Sequence, residues 1–289
     1  MTLRPLVLIL TLGLSPLSVQ AEALVAPRLV QADADAQKVL ALTDVLKMDE
    51  ILSVMRDEGL EYGKTLEDDM FPGRGGDAWR AQVARIYDPV TMRQEFDAAL
   101  VAELSGAGEQ LDQIVEFFGS DRGQSILGLE IEARRALLDP SVEDAAKMAW
   151  ANLQETDDPL VERIMRFAEA NDLIESNVMG ALNSSFAFSK GLAQAGAFPQ
   201  DMTEDQMLAD IWGQEADVRA ETTGWLFPFL SLAYGPMPEA DMDAYIAFSE
   251  TRAGQQVNAA LFAAFDKVFT RVSFDLGRAV ALRMQGEDI

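Results

Sequence analysis

The stretch Phe117-Phe118-Gly119-Ser120-Asp121-Arg122-Gly123-Gln124 decides how the chain is read, because it returns as Phe248-Ser249-Glu250-Thr251-Arg252-Ala253-Gly254-Gln255. The copies lie 131 residues apart (254 − 123), and at that offset Leu111 meets Met242, Asp112 meets Asp243 and Ile126 meets Val257. A period of this size is too long for a solenoid. It predicts an internal duplication giving two pseudo-symmetric multi-helix units packed into one helical array. Each copy reads as a tight helical hairpin: Gly119 ends one helix and the Ser120 hydroxyl caps the next, with Thr251 in the same place in the second copy. Gly123 and Gly254 fall in the first turn of the second helix, where the missing side chain lets another backbone approach.

Outward from the hairpins the pattern stays helical. After the second copy, Val257, Leu261, Phe265, Val268, Val272 and Leu276 form one apolar stripe, with Phe262 and Phe269 on an adjoining face and the small Ala260 and Ala264 beside it. A helix this apolar is expected to be central and to dominate the stability of its own half. Asp88-Pro89, Asp139-Pro140 and Asp158-Pro159 each precede a helical pattern. Asp caps the free amides of a first turn, and Pro at the first helical position loses only an amide that has no partner. Phe71-Pro72-Gly73-Arg74-Gly75-Gly76 breaks the opening helices, and no Val/Ile/Thr alternation bounded by turn residues marks a strand. The fold class read from these signals is all-α, with a first unit over 22–156 and a second over 157–289. Helices are also expected over 203–223 and 225–232, with Pro228 ending or kinking the second.

Residues 1–21 read as a signal peptide: Arg4, the apolar run Leu6 to Leu14, then small residues at Ala21 and Ala23 that allow cleavage after either. The run is about half of the ~20 residues that a spanning helix needs, so no stable membrane anchor is expected after cleavage. The chain is expected to be periplasmic, with secretion as the alternative. It has no Cys, hence no disulfide, no lipid-modified thiol and no thiolate metal site. Net charge is −25, and removal of Arg4 with the leader makes it one unit more negative. Such a charge repels nucleic acid and is the usual solvated surface of an exported protein. The acidic clusters Glu67-Asp68-Asp69 and Asp241-Met242-Asp243 lack the alternating oxygens and turn glycine of a calcium loop, so no metal is assigned.

There is no His, which excludes serine–histidine triads, histidine bases and the usual zinc and copper sites. No Walker-type loop or dinucleotide fingerprint is present, and neither a cofactor nor a catalytic residue is assigned. Two stretches are candidates for a ligand. In the first, Glu130 and Arg134 form an i,i+4 pair and Glu132 and Arg135 an i,i+3 pair, on a face whose second-unit counterparts are Leu261 and Phe265. The same face is thus ionic in one unit and apolar in the other. In the second, Trp225, Phe227 and Phe229 surround Pro228 and suit either core packing between the units or a groove for a hydrophobic ligand. The hairpin starts offer free amides to an anion, beside Ser120 and Arg122 in one copy and Thr251 and Arg252 in the other.

The repeated Phe-x-x-Ser/Thr-x-x-Gly-Gln element, entered from a Leu-Asp or Met-Asp helix and followed by a long apolar one, resembles a bacterial family of exported helical domains of unknown function. The resemblance covers Gln110 to Arg135 and Met237 to Val272, with Thr251 in place of Ser and Ser249 in place of the second aromatic. It implies an all-helical, periplasmic protein and carries over no catalytic residue. The functional expectation is a non-enzymatic protein that binds another protein or an envelope component through a groove between its units. The alternatives are a carboxylate-dependent hydrolase of an envelope glycan and a hydrophobic-ligand carrier.

Overall fold

The structure is a computed structural model that describes residues 25–198 and 203–286. The leader read in residues 1–21 lies outside the described residues. The first half contains α1 (Val25–Val45), α2 (Met48–Met70), α3 (Gly76–Ile86), α4 (Pro89–Leu104), α5 (Glu109–Gly119), α6 (Asp121–Ala136) and α7 (Pro140–Glu155). The second contains α8 (Pro159–Ala170), α9 (Leu173–Gln194), α10 (Glu204–Trp212), α11 (Glu215–Tyr234), α12 (Glu239–Ser249) and α13 (Arg252–Gln285). Among the described residues there is no strand, and no helix is long and apolar enough to cross a membrane. The protein is all-α.

The helix starts follow the capping chemistry. Asp88 accepts from the Thr91 amide, Asp139 from that of Ser141 and Asp158 from that of Leu160, each at 2.9 Å. Ser120 Oγ takes the Gly123 amide at 3.1 Å and Thr251 Oγ1 that of Gly254 at 3.0 Å, and each hydroxyl also donates to the carbonyl three residues back at 2.6 Å. Both Gly123 and Gly254 press on their own hairpin's first helix. A Cβ at Gly123 would stand 2.3 Å from the Phe117 carbonyl oxygen, and one at Gly254 would stand 2.1 Å from that of Phe248. The terminal Gln of each motif has a role that the sequence did not disclose. Gln124 Nε2 donates to the carbonyls of Val45 and Phe118, both at 2.8 Å, and Gln255 Nε2 to those of Ala170 and Ser249, at 2.6 and 2.7 Å. Each hairpin is thereby pinned to the end of its unit's first helix, just before a left-handed residue, Lys47 (φ 54°) or Asp172 (φ 47°), that starts the next.

Helices of both halves contribute to each of the two larger cores. One core is built from α1 to α5 and is closed by α13, whose Val257, Leu261, Phe265, Val268, Val272 and Leu276 all lie in it. The other gathers α8, α11 and α12 and receives Ala133 of α6 and Trp150 of α7. The stripe on α13 is therefore buried as its periodicity predicts, in a core that α1 to α5 share with Phe188 and Leu192 of α9, the helix of its own half on which α13 packs most extensively. A reciprocal pair of glycines brings α13 and α9 together backbone to backbone. A Cβ at Gly191 would lie 2.1 Å from the Phe274 carbonyl oxygen, and one at Gly277 the same distance from that of Phe188.

Pro228 does not end a helix. It sits within α11, which runs unbroken from Glu215 to Tyr234, and the interruption falls earlier, between Trp212 and Glu215. Local chemistry disfavours this, since Pro removes one helical bond. Burial of Leu226, Phe229, Leu230, Ala233 and Tyr234 on both sides of Pro228 outweighs that loss, at about 1.5–3 kcal/mol for each large side chain.

The hairpins meet at Phe117 and Phe248, the same position of the repeat, whose rings stack 3.9 Å apart and 7° from parallel. Phe118 meets Phe248 edge-on at 5.6 Å. Aromatic pairs of this kind contribute about 0.5–1.5 kcal/mol beyond area burial. Phe117→Ala and Phe248→Ala are each expected to cost about 2–3 kcal/mol in urea unfolding. The double variant is expected to cost less than the sum by about 0.5–1.5 kcal/mol; strict additivity would show that the stack does not couple the units.

Candidate functional site

Below the stacked rings, between the two hairpins, lies a cavity of about 140 Å³. A single water needs roughly 10–15 Å³, so the space suits an organic ligand. Its wall takes residues from both units: Met48 and Ile51 of α2, Leu127, Glu130 and Arg134 of α6, Trp225 and Phe229 of α11, Tyr245 and Phe248 of α12, and Asn258 and Leu261 of α13. The repeat explains why the wall is uneven. At the 131-residue offset Leu127 faces its counterpart Asn258, Glu130 faces Leu261 and Arg134 faces Phe265, so each unit is polar where the other is apolar.

Glu130 is the sole acidic side chain in this wall. Tyr234 Oη donates to its Oε1 at 2.6 Å and Tyr245 Oη to the same oxygen at 3.3 Å. Removal from water, only partly offset by these two bonds, pushes the carboxyl up from 4.5 to about 7. The residue keeps some accessible surface because it faces the cavity, while its carboxyl is surrounded by protein. Both phenols are raised well above 10 by burial and then by the neighbouring carboxylate, so they remain protonated donors. Tyr245 also packs on Phe167 at 4.7 Å and near Phe117 at 5.7 Å, which fixes the ring that carries one donor.

The ion pair expected between Glu130 and Arg134 does not form. Arg134 forks onto Glu58 of α2, Nε to Oε1 at 2.7 Å and Nη2 to Oε2 at 2.8 Å. Both partners are largely buried, where a bidentate guanidinium–carboxylate pair satisfies more bonds than an i,i+4 contact along one helix. Glu132 and Arg135 do pair, at 2.5 Å on the exposed side. Trp225 and Phe229 line the cavity, stacked at 5.0 Å, but Phe227 does not: it turns away and stacks on Trp150 of α7 at 5.4 Å. Consecutive odd positions on a helix diverge, so the three aromatics cannot share one face.

At the hairpin starts, Ser120 Oγ and Thr251 Oγ1 accept from the Gly123 and Gly254 amides, and Arg122 Nε donates to Asp241 Oδ1 at 2.7 Å; Arg252 is exposed. Among the described residues no cluster of acidic side chains is placed to hold a metal ion. Sequence reasoning missed Glu58, Tyr234 and Tyr245. Only the recurring register ties α12 to α5, and no linear spacing brings Tyr234 or Tyr245 to α6, more than a hundred residues earlier.

The raised carboxyl has a stability consequence with a definite sign. Glu130 binds its proton more tightly in the folded chain, so folding is favoured below pH 4.5, and that advantage is lost as pH rises toward 7. Relative to Glu130→Gln, the wild-type chain is expected to lose on the order of 3 kcal/mol between those values in urea titrations, with no further change above them. A pH-independent difference would show that the carboxyl is solvated. No family model, no curated protein and no solved structure matches this chain, so the cavity itself carries the functional reading.

Proposed function

We propose that this protein binds a small molecule with an apolar body and a polar head, held in the cavity between its two hairpins. The observation that carries this is the single perturbed carboxyl set in an aromatic and aliphatic wall, the usual composition of a ligand pocket. Trp225 and Phe229 offer flat faces to the body, and Glu130 with its two phenols offers the one polar anchor. Of the three readings open from the sequence, this is the ligand carrier. The hydrolase reading needs a second free carboxyl, and Glu58, the nearest acid tied to this wall, is committed to Arg134. The protein-docking reading needs an exposed face, whereas Glu130, Arg134, Trp225 and Phe229 converge on the cavity.

We further infer that the chain acts after export, in the periplasm, with secretion as the alternative. The support is the N-terminal charge and apolar run together with the absence of Cys.

The neutral dye N-phenyl-1-naphthylamine, which brightens in apolar surroundings, tests the site. Trp225→Ala is expected to weaken its binding about tenfold, by loss of stacking area. Leu261→Trp, which fills the cavity from the opposite wall, is expected to abolish binding while retaining helical circular dichroism. Undiminished binding to a folded Leu261→Trp variant would place the dye elsewhere and remove the support for the site.

A further inference from the structure

Resting on the ligand-binding reading above, we propose that the cavity selects an organic cation, an amine or quaternary ammonium group carrying an apolar substituent, with its charge seated beside Glu130. The first support is the charge count of the wall. Arg134 lines the cavity, but both oxygens of Glu58 cancel its charge within the protein. Glu130 receives only the neutral phenols of Tyr234 and Tyr245. Its negative charge is the one that the wall leaves uncompensated.

The second support is which oxygen is used. Both phenols donate to Oε1, and Oε2 accepts no hydrogen bond from the described residues. A ligand cation beside Oε2 completes the coordination of a carboxylate that is already partly removed from water, where attraction between opposite charges is strongest. The third support is the wall itself. Trp225, Phe229, Tyr245 and Phe248 line the cavity, and the negative quadrupole of an aromatic ring attracts an alkylammonium group but does nothing for an anion. Over the whole surface, the net charge of −25 raises the local concentration of cations at the mouth. A neutral head would leave the Glu130 charge buried without a counter-ion, and an anionic head would be repelled by it.

Three ligands with the same eight-carbon chain separate these cases: octyltrimethylammonium, 1-octanol and octanoate, titrated calorimetrically into the full chain below their micelle concentrations. At pH 8 the cation is expected to bind about tenfold tighter than the alcohol and tighter still than the acid. In Glu130→Gln that preference is expected to shrink to about twofold or less, and Leu261→Trp is expected to bind none of the three. Near pH 7 the cation is expected to displace a proton from Glu130, which appears as a binding enthalpy that depends on the ionisation heat of the buffer. The groups that face the ligand are Glu130, the phenol of Tyr245, which burial keeps protonated, and the Arg134–Glu58 pair.

Should Glu130→Gln not fold, the wild-type chain at pH 5.5 makes the same comparison, because Glu130 is then neutral. A preference that persists at pH 5.5 or in Glu130→Gln overturns the assignment to Glu130. Equal binding of cation and alcohol at pH 8, or tighter binding of octanoate, overturns the cation inference and leaves the ligand-binding reading intact. Failure of all three to bind sinks both.

Discussion

Everything in this fold hangs on the meeting of Phe117 with Phe248. They occupy the same place in the two copies of one hairpin, and their rings lie face to face at 3.9 Å. A contact between identical positions defines a local pseudo-two-fold relation, and what lies on one side of the stack has its counterpart on the other. The hairpins are rigid enough to impose that relation. Ser120 and Thr251 close their turns, Gly123 and Gly254 let the two helices of each hairpin touch backbone to backbone, and Gln124 and Gln255 tie each turn to the first helix of its unit. With the turns held together, the helix leaving each hairpin packs on both halves, α13 on α9 and α4 and α6 on α5 and α11. Hence α13 closes the core of α1 to α5, and α6 packs with α11 in the second core.

The space where these helices meet brings together faces that differ at matching positions of the two hairpin motifs. Glu130 on α6 meets Tyr234 and Tyr245 of the second unit, while its counterpart Leu261 on α13 lies in the apolar first core. Were the two faces alike, the space between them would be uniformly apolar or would hold two carboxyls. One face is ionic and the other apolar. The result is a cavity with one acid, one internally neutralised arginine and a ring of aromatic faces. The cost of burying Glu130 is visible in its raised proton affinity, a strain of the kind that proteins keep at sites where it serves a ligand.

The sequence disclosed the parts of this arrangement unequally. Asp-Pro dipeptides and the Ser or Thr of the hairpins gave true helix starts, because a cap is decided by atoms within three residues of one another. The apolar stripe of α13 gave true burial. Its partners were only half legible: α13 packs on α9 of its own half and also closes the core of α1 to α5, since periodicity says which face is buried and not against what. Pro228 misled for the opposite reason: the local rule against proline in a helix lost to burial spread over the rest of α11. Glu130, Arg134, Trp225 and Phe229 were recognisable as unusual and do share one cavity, but Arg134 belongs with Glu58, and Phe227 belongs with Trp150.

By itself, then, the sequence determined the all-helical class, the hairpin that occurs twice and the contrast between an ionic and an apolar face at matching positions. These follow from caps, periodicities and identities that short-range physics reads along the chain. Only the tertiary structure decided that the hairpins stack on each other, that their outgoing helices pack on both halves of the chain and that the contrasting faces enclose a common space. Each of those outcomes is a choice among long-range contacts of similar chemistry. What settles it is the simultaneous packing of rings and glycines far apart in the chain, and that has no local signature.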